Sequence, residues 1–398
     1  MAKVKKIDEV QSKADIALVD DLAVTLIKDL NREFGSRIAY NLSESEAPTI
    51  VKRWIDTGSI QLNYAIRNAA GGGYPEGRII EISGLPSCGK SHLAYHAAAN
   101  VQALGGLVVY IDTENATPVD KLAQMGVNVR NRFVYCDTHC TEEVFQIIES
   151  VILKAKSVAN KNVPILVIWD SVAATSPKAE LDGDYDQNTM GLQARVISKS
   201  LRKITGIIGQ NNVLFMCLNQ LREAIGVMHG DPYVTPGGKA IPFHSSVRVR
   251  LGSGHPIKNK AGDIIGIHVT VNIKKNKVAP PFRKCEFDIH FGKGIVEGEQ
   301  LFDEVRSFCA DNGPVKSGNV QINVTGTSGW KELCVSNIET GEVVITKKFY
   351  KPEFAGMIKD PEYSTFLLEA INAALARNMS SDPAGTPPTD DESDETDD

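Results

Sequence analysis

From Arg78 onward, apolar residues arrive in short unbroken runs, and the stretches between them have helical spacing. "RIIEIS" (78–83), "LVVYID" (107–112), "RFVYCD" (132–137), "VPILVIWDS" (163–171) and "VLFMCLNQ" (213–220) are short apolar runs, with little of the alternation that one wet face would give. They predict strands, with "VPILVIWDS" a buried one. Between them lie predicted helices: "KSHLAYHAAANVQAL", closed by Gly105-Gly106; a short segment ending at Gly126; "TEEVFQIIESVILKAKSVA" (141–159), with Thr141 as N-cap; and "MGLQARVISKSLRKITGIIG" (190–209). This alternation predicts an α/β fold with a mostly parallel central sheet flanked by helices. From about residue 246 the pattern changes. "SVRVRLG", "IIGIHVTVNIKK" and "KCEFDIHF" alternate without long helices between them, and predict an antiparallel extension of the sheet.

The ends differ from this core. Residues 1 to about 44 have helical spacing, with apolar positions at Ile16, Val19, Leu22, Leu26 and Leu30, until "SESEAP" breaks it. "GGGYPEG" (71–77) is a turn cluster. Residues 299–378 are mixed and end in the helix "YSTFLLEAINAALARN". The expected division is a small N-terminal helical region (1–45), a core (46–298), a small C-terminal α+β domain (299–380) and an acidic tail (381–398).

Composition changes this picture at a few points only. No apolar run approaches the roughly 18 residues that span a bilayer. The start has basic residues but no apolar core after them, so it is not a secretory signal. The seven cysteines form no CxxC pair. "CDTHC" (136–140) is the closest approach to a metal motif, but no second ligand cluster accompanies it; reduced thiols in a cytosolic compartment are the plainer reading. The net charge of -6 is owed to the tail. Setting aside its eight acids leaves 43 Lys and Arg against 41 Asp and Glu. The tail is acidic, rich in Pro and free of aromatics, a composition that does not fold. The body is therefore near neutral, and any nucleic-acid site must be a local patch.

The chemistry begins at "GLPSCGKS" (84–91), between a predicted strand and a predicted helix. This is the GxxxxGK[ST] phosphate loop. Gly84 and Gly89 let the backbone of Leu85, Pro86, Ser87 and Cys88 curl, so that N–H groups face phosphate oxygens at a helix N-terminus, with His92 just beyond. Lys90 would bridge the terminal phosphates, and Ser91 would offer its hydroxyl to Mg²⁺. The second metal group should be an acid ending a buried strand, and Asp170 is so placed. Hydrolysis also needs a group to orient or deprotonate water. "YIDTEN" supplies Asp112 and Glu114, two residues apart and so on the same side of an extended chain. Glu114 is the expected base.

Two further segments bear on what the triphosphate drives. On the helix from Met190, basic residues at 195, 199 and 202 share one face, while Ile197, Leu201, Ile204 and Ile208 cover the other. The stripe suits a phosphate backbone, with Ser198 beside it; on composition alone, a solvated surface helix is the stronger reading. "NQLREAIGVMHGDPYVTPGGKA" (219–240) follows a strand without sustained periodicity, and loops of that length are usually functional. It mixes Gly226, Gly230, Gly237 and Gly238 with Arg222, His229, Lys239 and the apolar pair Ile225 and Val227. Such a loop could approach phosphates closely and wedge a side chain between bases. Gln220 could touch the terminal phosphate and report it to this loop.

Together, "GLPSCGKS", "YIDTENA", "VIWDSVAATSPKAE", "MGLQAR", "NQLREAIGVMHGDP…TPGGKA" and "KKNKVAPPF" resemble the RecA family of homologous-recombination ATPases over about residues 50–298, in order and with near-constant spacing. The acidic tail is similar too. The resemblance implies a RecA-like core, an N-terminal region for oligomerisation, and a helical filament on single-stranded DNA with ATP and Mg²⁺ that pairs homologous double-stranded DNA and exchanges strands. It admits single-strand-binding and loader proteins as partners, in a bacterial or infected-host cytoplasm. By position it implies phosphate and Mg²⁺ binding at Lys90, Ser91 and Asp170, water activation by Glu114, and coupling of nucleotide to DNA through Gln220. It puts Met190, Arg195, Ser198 and Arg202 in or after the first DNA loop. Arg222, Ile225, Gly237, Gly238 and Lys239 fall in the second. Lys275 and Lys277 of "KKNK" would reach a neighbour's ATP and offer charge to the transition state; without the resemblance they are a basic strand end. The chain departs from the family at Lys121, where an aromatic usually covers the adenine, and at His229, where the second loop usually carries an aromatic. A hexameric helicase would share the phosphate loop but not the two loops; a regulatory ATPase would turn over ATP without regard to DNA.

Overall fold

The computed structural model describes residues 22–43, 47–158, 162–184, 189, 191–223, 231–252, 254–326 and 328–381. The chain forms two compact units, residues 1–52 and 53–398.

In the first unit, helix α1 covers 22–33. The helical spacing predicted to about residue 44 therefore ends early. Gly35 has a φ of 60°, and the Asn31 side chain accepts from the backbone N–H of Ile38 (2.7 Å) and Ala39 (2.8 Å). A left-handed glycine and a side chain competing for backbone donors both terminate helices. Leu22, Leu26 and Leu30 are exposed along α1; Ile16 and Val19 lie outside the described residues.

The second unit is built on a ten-stranded sheet. Its strands are β1 (Ile79–Gly84), β2 (Leu107–Asp112), β3 (Phe133–Asp137), β4 (Ile165–Asp170), β5 (Val213–Gln220), β6 (Val247–Leu251), β7 (His255–Lys258), β8 (Ile264–Asn276), β9 (Lys284–His290) and β10 (Gly294–Val296). The order is β10-β9-β8-β6-β1-β5-β4-β2-β3, with β7 paired to β8. The six strands β6-β1-β5-β4-β2-β3 are parallel; β7 to β10 form the antiparallel extension. Burial on both faces accounts for the apolar runs of β1, β2, β4 and β5, whereas the edge strand β3 leaves Val134 and Tyr135 exposed. Val108 and Tyr110 pack on one side with Leu93, Ala97 and Val101 of helix α3 (Lys90–Ala103). Val109 and Ile111 pack on the other with α5 (Thr141–Val158) and α6 (Leu192–Gln210). Between them α4 (Val119–Gln124) follows β2, and α2 (Ile60–Arg67) precedes β1. On α6 the buried positions are Ile197, Leu201, Ile204 and Ile208, so Arg195, Lys199 and Arg202 are left exposed on the opposite face. Thr141 is the first residue of α5 and not its cap. Its N–H donates to the Ser176 carbonyl (2.9 Å), and its buried hydroxyl has no partner among the described residues.

A short helix, α7 (Ala240–His244), leads into β6. Beyond β10, helix α8 (Gly298–Asn312) is followed by a four-stranded antiparallel sheet, β11 (Val315–Ser317), β12 (Val320–Thr325), β13 (Lys331–Asn337) and β14 (Val343–Phe349), and by α9 (Ser364–Ser381). Phe302, Ile322, Leu333, Phe349, Leu367 and Ile371 belong to its own apolar cluster. The N-terminus of α2 is held by Glu297, which accepts from the Ser59 hydroxyl (2.6 Å) and the Ile60 N–H (2.5 Å). None of the described helices is long and apolar enough to cross a membrane.

Candidate functional site

Parallel strands point their C-terminal ends the same way, so the residues ending them gather at one edge of the sheet. Register sets them side by side. Gly84 lies opposite Gln220 and Leu251, Asp170 opposite Leu218, and Asp112 opposite Asp170. The loop after β1 turns into α3 through Ser87 (φ 59°) and Gly89 (φ 99°). A Cβ on Gly89 would collide with the Ile289 side chain, and one on Gly84 with the Cys88 sulfur; Gly89 needs glycine for conformation as well as for space. Lys90 folds over the loop, its Nζ donating to the carbonyls of Gly84 (3.0 Å) and Leu85 (2.8 Å). A cavity of about 420 Å³ opens here, lined by Ser87, Gly89, Lys90, Ser91, His92 and Tyr95 among others.

The acids predicted for the site converge on it. Asp170 Oδ2 accepts from the Ser91 hydroxyl (3.1 Å) and from Tyr110 (2.5 Å). Burial lifts the Asp170 carboxyl above its ordinary value, the hydrogen bonds from Tyr110 and Ser91 hold it down, and the charges of Glu114 and Asp112 add to the rise. Glu114 is exposed, and its Oε1 accepts from the Ser171 hydroxyl (2.5 Å) and from Gln220 Nε2 (3.2 Å). Asp112 has a different task. It accepts from the N–H of Glu114 (3.0 Å) and Thr117 (3.1 Å) and from the Tyr135 hydroxyl (3.1 Å). Burial pushes its carboxyl up, but these bonds outweigh burial and leave it below the usual range. It shapes the turn that presents Glu114.

The two segments expected to meet nucleic acid are tied to this cleft. Gln193, in the first turn of α6, donates to the carbonyls of Val172 (3.1 Å) and Thr175 (2.6 Å), just after Asp170. Arg222-Glu223 pairs with Tyr233-Val234 at the base of the second loop. Its return leg is pinned by Asn219, which donates to the Pro236 carbonyl (3.1 Å) and to Glu81 (3.0 Å). Gly237 and Gly238, with φ of 87° and 69°, approach α6 so closely that a Cβ on Gly238 would lie 2.8 Å from that of Ala194. Arg195, Arg202, Arg222 and Lys239 are exposed, and Ser198 is half-buried. Met190, Ile225, Val227 and His229 lie outside the described residues.

Lys275 and Lys277 are not brought to their own chain's phosphate loop. Lys275 lies opposite Arg248, and Arg248 opposite Glu81, three residues before Gly84. Arg248 donates to the fully buried Glu81 (2.5 Å). The pairing of β6 with β8 is irregular between Arg248 and Val249, where Lys274 is the extra residue. Lys275 Nζ donates to the carbonyls of Pro242 (2.6 Å) and Phe243 (2.9 Å). Burial, then the charges of Lys277 and Arg248, lowers its ammonium to about 8. Lys277 stands 5.9 Å from the exposed Phe243 ring.

Sequence reasoning missed Tyr110, Ser171, Glu81, Asn219 and Gln193. Two of them left a signal. Tyr110 is two residues before Asp112 on the same strand face, and Glu81 is a charge inside an apolar run, which demands a partner. The "CDTHC" segment is absorbed by other contacts: His139 Nδ1 lies 2.9 Å from the Thr113 carbonyl. No group of three His, Cys, Asp or Glu among the described residues could hold a metal.

The RecA N-terminal domain family matches residues 21–296. The protein RecA of Bacteroides thetaiotaomicron is 45% identical over 277 residues, covering 70% of this chain and 80% of that protein. The proteins RecA of Staphylococcus carnosus and Lactobacillus acidophilus are each 39% identical over 280 and 277 residues, 70% of this chain and 75% and 72% of theirs. With these matches laid along the strands and loops that build the cleft, the chain belongs to the RecA family.

Proposed function

We propose that this chain is an ATP-dependent DNA recombinase, which assembles as a helical filament on single-stranded DNA, pairs it with homologous duplex and exchanges strands in the cytoplasm. The observation that carries the reading is the contact between Glu114 and Gln220. It joins the candidate base to the residue at the root of the second DNA segment. The loop N–H groups and Lys90 bind the phosphates; at present Lys90 caps two loop carbonyls, which a terminal phosphate would replace as its partner. Glu114 holds the attacking water and takes its proton. Gln220 exchanges its bond to Glu114 for one to the terminal phosphate and so shifts the 221–239 segment. The residues fit a magnesium ion: Ser91 and Asp170 present hard oxygens 3.1 Å apart, and no described cation neutralises Asp170. Bound with the nucleotide, such an ion would neutralise phosphate charge.

Arg195, Ser198 and Arg202 hold the DNA backbone with Arg222, Lys239 and the Gly237-Gly238 turn; Met190 and Ile225 are further candidates for DNA contact. Lys275 and Lys277 act on the nucleotide of an adjacent subunit. The exposed leucines of α1 serve assembly in the N-terminal region (1–45), beside a core (46–298), a C-terminal domain (299–380) that gathers duplex, and an acidic tail. Single-strand-binding and loader proteins are the expected accessory partners. The test is ATP turnover with and without single-stranded DNA, alongside electron microscopy with a slowly hydrolysed analogue. DNA-stimulated turnover and open helical filaments are expected, and Lys90→Ala abolishes turnover. Closed rings, or turnover indifferent to DNA, overturn the reading.

A further inference from the structure

The cleft continues past the phosphate loop. A second compartment of about 370 Å³ shares His92, Tyr95, Lys121 and Phe291 with the first, and adds Gln124, Met125 and Gly292. Phosphates held at Gly89–Ser91 leave this far compartment as the place for the base. Its flat surfaces are Phe291, which is 53% exposed, and the half-buried Met125. Any purine can stack on an aromatic ring or a thioether, so these contacts do not choose between bases. The choice falls to the polar groups on the rim.

That rim is rich in donors and poor in acceptors. Among the described residues, Lys121 is the only fully charged side chain lining the far compartment, and no carboxylate lines either compartment. An ammonium carries three donors and no acceptor. Gln124 can turn its amide either way. Guanine offers two adjacent acceptors, N7 and O6, to such a group, whereas adenine sets an amino donor beside N7. A lysine facing adenine can donate to N7 but meets an amino donor where guanine offers O6, and no acid among the described lining residues takes the amino hydrogens.

Resting on the nucleotide reading above, we infer that Lys121 makes this compartment accept a 6-oxopurine, so that GTP and ITP compete with ATP for the site. ITP shares O6 and N7 with GTP and lacks the 2-amino group, and so isolates the contact in question.

The experiment is displacement of a fluorescent ribose-labelled ATP analogue from the full-length protein with Mg²⁺. ATP, GTP and ITP are the competitors, on wild type, Lys121→Met and Lys121→Gln. In wild type, GTP and ITP displace the probe within about fivefold of the ATP concentration, a gap smaller than one charged hydrogen bond. Lys121→Met lowers the affinity for both oxopurines relative to ATP by about tenfold or more, the worth of such a bond. Lys121→Gln, which keeps a donor, falls between. Oxopurines about a hundredfold weaker than ATP in wild type, or a Lys121→Met variant with an unchanged GTP-to-ATP ratio, overturn the inference. A protein that binds the ATP probe but rejects oxopurines leaves the nucleotide reading standing; one that binds no probe removes both.

Discussion

Replacing Tyr110 with phenylalanine tests how the site keeps Asp170 ionised. The Tyr110 hydroxyl donates to Asp170 at 2.5 Å from a fully buried ring, and phenylalanine fills the same volume without the donor. A hydrogen bond to a charged group contributes about 1.5–3 kcal/mol. At about 1.4 kcal/mol per unit, its loss raises the Asp170 pKa by about one to two units. Burial already holds that pKa above the ordinary carboxylate value, so the further rise moves it toward the working range. The sign follows from the charge required. Only the carboxylate attracts a cation, so activity is present above the folded pKa and is lost as pH falls through it. The assay is DNA-stimulated ATP turnover across pH, read as kcat/KM. In Tyr110→Phe the acid limb moves up by about one unit or more, and the Mg²⁺ requirement rises more at about pH 6 than at about pH 8. Tyr135→Phe is the control, because Tyr135 donates to Asp112 at 3.1 Å and not to Asp170. An acid limb unmoved in Tyr110→Phe, or moved equally in Tyr135→Phe, refutes the reasoning.

Other expectations follow from the same contacts. Lys275 loses its charge as pH rises through about 8, so turnover by the assembled protein should show an alkaline limb there. Lys275→Arg, charged throughout, should remove the limb. Arg202→Ala should weaken DNA binding and flatten the log affinity against log salt slope by about 0.7–0.9 if one phosphate contact is lost; an unchanged slope removes Arg202 from the DNA surface. Burial raises the Glu297 carboxyl from 4.5 to about 7, against the hydrogen bonds from Ser59, Ile60 and Gln61. The folded state thus prefers the protonated acid, and stability present below about pH 4.5 is lost as pH rises through about 7. Denaturant titrations should show a decline of up to about 3 kcal/mol across that window in wild type and a flatter profile in Glu297→Gln.

The inner strands were legible because burial on both faces leaves an unbroken apolar run. β2 and β5 begin and end where the runs "LVVYID" and "VLFMCLNQ" do. The α6 faces were equally plain, since its four buried residues fall at helical spacing. The N-terminal helix was overextended because periodicity outlasts the helix. Ile38 and Ala39 turn back onto Asn31, a side-chain contact that no spacing reveals. Within the site, the phosphate loop and the acids that end strands are local signals. Their partners are not. Tyr110 reaches Asp170 from 60 residues away, Ser171 reaches Glu114 from 57, and Arg248 reaches Glu81 from 167. Strand order and register create those meetings, and neither is written in any single window of the chain.

Strand β8 is thirteen residues long, and different parts of it face different places. Ile267 touches the wall of its own chain's nucleotide cavity, while Lys275, eight residues further on, stands beside α7. At roughly 3.3 Å per residue the two are about 26 Å apart. Were Lys275 to attend the next subunit's nucleotide, as proposed above, this one strand would link two successive reaction chambers. Hydrogen bonded to β6, β7 and β9 but bulged at Lys274, it would pass a tilt imposed by one triphosphate toward the other. Firing order along the polymer would then be governed mechanically, by leverage, and not by each chamber keeping its own clock.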